Sequence, residues 1–220
     1  MNLSLTYTRA VSFSRPASRR RIEVFSPKIS RRLSLGGYDA YRTWLVIEAN
    51  PLISTFCERP TFVDGPGGQV VDFWVQLGRE RAGEFWMVEG IARQAPDAGV
   101  PPPEKFSVLD GLPVRYINRA DLLAWSIPIA NWARITPCLV CHKRYKDMLL
   151  EQSIVAFLNQ FEPLDTLLER FAQRDETTVQ AALFSLLAEG RVVSPDLATA
   201  PLDGATRFCR SSSVMTHSNA

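Results

Sequence analysis

The sequence predicts an α/β protein: one helix leading into a meander of short strands, then a helix-rich C-terminal third. Three observations predict it. Tyr38–Ala49 places Tyr41, Trp44, Leu45 and Glu48 on one helical face and stops at Asn50-Pro51. Residues 52–89 alternate runs rich in Val, Phe and Trp with Gly-rich turns, the pattern of consecutive strands. From about residue 144 the apolar spacing turns helical again.

Size and composition agree with that division. The chain has 220 residues and is 46% hydrophobic, enough for a sizeable core and for two small domains. No apolar run approaches the ~20 residues of a membrane span. The N-terminus lacks the charged start and apolar block of a secretory signal. Four cysteines stand at 57, 138, 141 and 209. A cytoplasmic location with reduced thiols is expected, rather than a disulfide framework.

The charge is uneven. Residues 1–32 hold eight Arg/Lys (Arg9, Arg15, Arg19, Arg20, Arg21, Lys28, Arg31, Arg32) against one acid, Glu23. Residues 1–35 therefore read as an irregular basic arm, with a short extended piece at Arg21–Phe25. Such an arm beside a mildly acidic body suits DNA phosphate. A solvated tail and an organelle transit peptide are the other readings.

After Gly36-Gly37 and the helix, four strands are expected at Leu52–Glu58, Thr61–Val63, Gln69–Leu77 and Glu84–Glu89. The turn Asp64-Gly-Pro-Gly-Gly68 separates the second from the third, and Gly78–Gly83 the third from the fourth. Ala95–Glu104 holds four prolines and reads as an exposed loop. Val114–Asn118 reads as a strand. Arg119–Ala124 reads as a helix capped by Asn118, with Asp121 in its first turn. Pro128 and Pro137 are expected to interrupt the stretch from Trp125 to about residue 143.

The C-terminal part reads as helices at Tyr145–Phe161, Leu164–Ala172 and Thr177–Glu189. The last opens with a Thr177-x-x-Gln180 capping box and ends at Gly190. Strands are expected at Arg191–Val193 and Thr206–Arg210, around a loop rich in Pro, Asp, Ala and Gly. Three helices, a strand, a loop and a strand is the order of a winged helix-turn-helix. The domain bounds are then 1–35 for the arm, 36–143 for the first domain, 144–210 for the second and 211–220 for a disordered tail.

The candidate chemistry lies on the strands. Asp72 sits inside Gln69-Val-Val-Asp-Phe-Trp-Val, among apolar neighbours where a surface acid is unusual. Glu89 ends the next strand. A tight turn between antiparallel strands brings two such carboxylates together. Converging acidic oxygens suit Mg²⁺, which polarises a phosphate and activates water. The plainer reading is a pair of hydrogen-bonded structural carboxylates.

A wider pattern carries more. The segments Ile47-Glu-Ala-Asn-Pro-Leu-Ile53, Glu58-Arg-Pro60, Val71-Asp-Phe-Trp-Val75 and Val88-Glu-Gly-Ile91 succeed one another in order. In that order and spacing, Tyr38–Ile91 resembles the N-terminal domain of TnsA-like transposon endonucleases. The resemblance implies a restriction-endonuclease-like mixed sheet with flanking helices, followed by a small winged helix-turn-helix domain. It implies Mg²⁺-dependent cutting of DNA, with Asp72 and Glu89 catalytic and metal-binding. It implies transposase and ATPase subunits as partners, and DNA held by the basic arm.

Two positions depart from the pattern. The family lysine falls on Ile91, and the helix acid falls near Ala40, with Asp39 next to it and Glu48 at the other end of the helix as substitutes that could be recruited. A non-catalytic DNA- or protein-binding subunit is therefore the alternative function. The helix Thr177–Glu189 contains no Lys or Arg, which suits a protein partner better than a DNA groove. Arg191, Arg207 and Arg210 keep DNA contact open. Cys138-x-x-Cys141-His142 has haem-attachment spacing, but incidental cysteines are the expected account, and a zinc site needs Cys57, Cys209 or His217 to join by folding. Trp74, Trp86, Trp125 and Trp132 are expected in the core rather than stacked on bases.

Overall fold

The computed structural model describes residues 7–12, 21–63, 69–78, 83–89, 105–142 and 147–212. The architecture is mixed α/β, with a five-stranded mixed sheet and flanking helices. Two compact units divide the chain: residues 1–47 with 52–124, and 48–51 with 125–220.

In the first unit, β1 (Ile22–Ser26) and β2 (Arg31–Leu35) pair as an antiparallel hairpin, Ile22 opposite Leu35 and Ser26 opposite Arg31. An irregular arm is expected here. The hairpin forms instead because Leu33 and Leu35 alternate onto one buried face. Two of the arm's cations are held internally. Lys28 Nζ donates to the Ile53 carbonyl at 2.9 Å, and Arg31 donates twice to Glu58, a carboxylate only 3% exposed. Further upstream, the Tyr7 ring meets Trp74 and Phe85, and the Val11 N–H donates to the Arg59 carbonyl. Arg15, Arg19 and Arg20 lie outside the described residues.

Helix α1 runs Tyr38–Ala49, as its spacing predicts, and buries Trp44, Leu45 and Ile47. It is entered through Gly37, whose φ of +108° is a glycine conformation. Its first bond joins the Tyr41 N–H to the Gly37 carbonyl.

Beyond α1 lies the sheet. Strands β3 (Ile53–Glu58), β4 (Phe73–Leu77) and β5 (Gly83–Val88) form an antiparallel meander. β6 (Val108–Leu109) is antiparallel to β7 (Leu112–Ile117), and β7 lies parallel to β5. The order is β3-β4-β5-β7-β6. Phe73, Trp74 and Val75 on β4, and Phe85, Trp86 and Met87 on β5, are buried without alternation, so both faces of the central strands are covered. Full burial of each side chain stabilises by roughly 1.5–3 kcal/mol. Gly83 opens β5 because a Cβ there would stand 2.0 Å from the Trp74 indole nitrogen.

Between β3 and β4 the expected second strand is reduced to a bridge between Phe62 and Val70. Arg59, at φ +48°, turns the chain at the end of β3 and breaks the ladder. The turns at 64–68 and 79–82 and the loop Ala95–Glu104 lie outside the described residues. Helix α2 (Arg119–Ala124) has the expected cap: Asn118 Oδ1 accepts from the Asp121 N–H and Asp121 Oδ2 from the Asn118 N–H.

The second unit begins with α3 (Ser126–His142), which runs through both prolines. Pro128 stands in the first turn, where no N–H is needed. Pro137 forfeits one bond, but Ile129, Trp132, Ile135 and Leu139 bury one stripe and hold the helix. Helix α4 (Met148–Phe157) starts later than expected, because Asp147 caps it by accepting from the Leu149 and Leu150 N–H groups. Helix α5 spans Leu164–Arg170 and α6 spans Glu176–Ala188.

The expected Thr177 capping box does not form. Asp175 caps α6 instead, accepting from the Thr178 N–H, while Gln180 donates to Glu176. Gly190, at φ +71°, ends α6: its N–H reaches the Leu187 carbonyl and the Arg191 N–H reaches the Leu186 carbonyl, a Schellman closure. β8 (Glu162–Pro163), β9 (Val192–Val193) and β10 (Arg207–Arg210) make an antiparallel sheet in the order β8-β10-β9. The sequence places α3 in the first domain, whereas it groups with the second unit. The reason is Asn131, which donates to the Leu197 and Ala200 carbonyls and accepts from the Leu202 N–H. Among the described residues, no helix is long and apolar enough to cross a membrane.

Candidate functional site

The site is built where β4 begins and β5 ends. Phe73 pairs with Trp86, so Asp72, one residue before β4, falls level with the end of β5. There its Oδ2 accepts from the Val88 N–H at 2.7 Å. Its carbonyl accepts from the Arg59 N–H at 2.8 Å on the other side. The left-handed turn at Arg59 is what aims that N–H at β4. Asp72 is thus half-buried and held from both neighbouring strands.

Glu89 comes directly after Val88. Its N–H donates to the Ile117 carbonyl at 2.9 Å, which keeps it aligned with the end of β7. Its side chain is 22% exposed, and Lys105 Nζ lies 2.5 Å from Oε1. Lys105 is itself seated: its Nζ is 5.1 Å from the Tyr116 ring centroid. Next to it the Phe106 N–H donates to the Tyr116 hydroxyl, and the two rings meet edge to face. The hydrogen bond to Glu89 and its charge hold the Lys105 ammonium above the ordinary lysine range.

Asp39 lies in the first turn of α1, 4.0 Å from Arg42 Nη1, and its carbonyl accepts from Thr43 Oγ1. Among the described residues no group of three or more His, Cys, Asp or Glu side chains is placed to hold a metal ion. Mg²⁺ commonly takes only one or two protein carboxylates, the rest of its shell being water and phosphate oxygens. Asp72 bonds the residue before Glu89 in the chain, and Glu89 is itself paired with Lys105.

Two features escape the sequence reading. Lys105 stands outside any Glu-x-Lys spacing and no pattern marks it. Glu58 with Arg31 forms a buried ion pair that fastens β2 to the end of β3. A signal for the hairpin does exist in the chain: two alternating runs flank Pro27-Lys28-Ile29-Ser30. Next to Glu58, burial pushes the Cys57 thiol up to about 11, so it is a packed, unreactive thiol.

Elsewhere the other candidates stay apart from chemistry. The four cysteines are free thiols; Cys57 is buried, Cys138 half-buried and Cys141 exposed on α3. His217 lies outside the described residues. Trp74, Trp86 and Trp132 are core residues, and Trp125 is half-buried. Helix α6 exposes no residue between Thr178 and Ala188.

No protein-family model matches the chain, and no curated protein matches it.

Proposed function

We propose that this chain is a TnsA-like component of a DNA transposition system whose first unit cuts one DNA strand at transposon ends. The observation that carries the reading is that Asp72, just before β4, accepts from the Val88 N–H at the end of β5, one residue before Glu89. The helix, antiparallel meander and parallel fourth strand support a restriction-endonuclease-like core.

In the cut, a water oxygen bonds to phosphorus and one P–O ester bond breaks. The water gives a proton to solvent and the departing oxygen takes one up. Mg²⁺, when bound, would polarise the phosphate and make water a better nucleophile. Asp72 and Glu89 would supply its protein oxygens, Asp72 being held by the Val88 N–H and Glu89 by Lys105.

For the second unit, the succession α4, β8, α5, α6, β9, β10 supports a winged helix-turn-helix. Its α6 carries no cation, so the unit suits a transposase or ATPase subunit better than a DNA groove. DNA contact falls to the N-terminal arm.

A second reading is favoured by Asp39, which pairs with Arg42 rather than joining Asp72 and Glu89. In it the chain is a non-catalytic DNA- or protein-binding subunit. Nicking of supercoiled plasmid with Mg²⁺ or Mn²⁺ separates the two. Asp72→Asn keeps an acceptor for Val88 and is expected to slow nicking at least ~100-fold. A wild-type chain that binds DNA but never nicks it supports the second reading.

A further inference from the structure

We propose that Lys105 is the cationic residue of this site, taking the role that the strand pattern leaves empty at Ile91. The assignment rests on the strand-cutting reading and adds to it a specific group for the scissile phosphate.

An in-strand lysine two residues beyond Glu89 would bring an ammonium to Glu89 by period-2 alternation. Here residue 91 is isoleucine, and the ammonium arrives from the segment entering β6 instead, 2.5 Å from Glu89 Oε1. A carboxylate offers roughly four lone-pair sites over its two oxygens, so one ammonium does not saturate it against a metal ion. The ammonium therefore stands beside Glu89 and would leave lone pairs free for a metal ion.

The ammonium is also anchored. Tyr116 stands opposite Met87 in the parallel β5–β7 pairing. Its ring lies under Lys105 Nζ, and its hydroxyl accepts from the Phe106 N–H. Lys105 is thus tied, through its own neighbour and through a cation–π contact, to the strand flanking Glu89. Solvent still reaches it. The Lys105 side chain is 66% exposed and Glu89 22%, so an incoming phosphate can meet the ammonium. Phosphoryl transfer places negative charge on equatorial oxygens, and a positioned cation stabilises it.

An ordinary surface ion pair would show the same distance, so the test must separate structure from chemistry. Exposed pairs contribute little stability, and Lys105→Ala is expected to fold as the wild type does. Its nicking rate with Mg²⁺ is expected to fall at least ~100-fold. Adding Ile91→Lys to that variant is expected to recover nicking. A metal-free readout accompanies these: in the full chain without Mg²⁺, the Lys105 side-chain NMR signal is expected to shift when a short DNA duplex is added. Wild-type nicking that depends on Asp72 but survives Lys105→Ala overturns the lysine assignment alone. A Lys105 signal unmoved by DNA also overturns it. No nicking by the wild type overturns the strand-cutting reading and the assignment together.

Discussion

Both units bury an ion pair, Arg31–Glu58 in the first and Arg191–Glu151 in the second, but their other polar side chains differ. In the first, Asp72 accepts from the Val88 N–H and Glu89 pairs with Lys105 at strand ends, where none of the three is fully buried. In the second, polar groups close the fold on itself. Asn131 holds the 197–202 loop, Arg134 donates to the Leu202 carbonyl, and Arg191 meets the buried Glu151. Even α6, the helix that a DNA reader would present, is buried along most of its length. A function is argued from accessible side chains rather than from the fold alone.

That contrast can be broken most forcefully at Trp74. The indole is fully buried, and among the described residues its Nε1 has no hydrogen-bond partner. Trp74→Ala is expected to cost about 3–5 kcal/mol in urea unfolding and to abolish nicking with the first unit's core. Trp74→Phe loses no hydrogen bond and is expected to cost under about 1.5 kcal/mol.

Next in size is Asn131→Ala, which strands two carbonyls and one N–H in the second unit. A loss of about 3 kcal/mol is expected, with the nicking rate of the folded protein unchanged. Lost nicking in that folded protein would break the separation of roles.

The smallest effect is expected at Asp196→Asn. Three hydrogen bonds from Arg207 hold the Asp196 carboxyl down to about 2, from an ordinary 3.8. A depressed carboxyl stabilises fully above its unfolded value and ceases to as pH falls through its folded one. Melting at neutral pH is expected to drop by on the order of 1 °C, since the pair is exposed. The difference is expected to vanish by about pH 2.

Much of the fold is legible in the chain. Helix α1 has the bounds its spacing predicts, and the strand runs appear close to where Val, Phe and Trp concentrate. Those elements are written locally, by period and by turn residues. Pro137 misleads because a local helix breaker is outweighed by an apolar stripe packing elsewhere. Thr177 misleads because Asp175, two residues earlier, captures the cap.

By itself the sequence determined the α/β succession, the helical C-terminal third, and Asp72 and Glu89 as the acids to watch. Only the tertiary structure decided the parallel placement of β7 beside β5, the internal use of Lys28 and Arg31, and the meeting of Lys105 with Glu89. The physical reason is one of range. Backbone periodicity is a property of neighbours in the chain, whereas an ion pair across 16 positions depends on how strands far apart in sequence come to lie side by side.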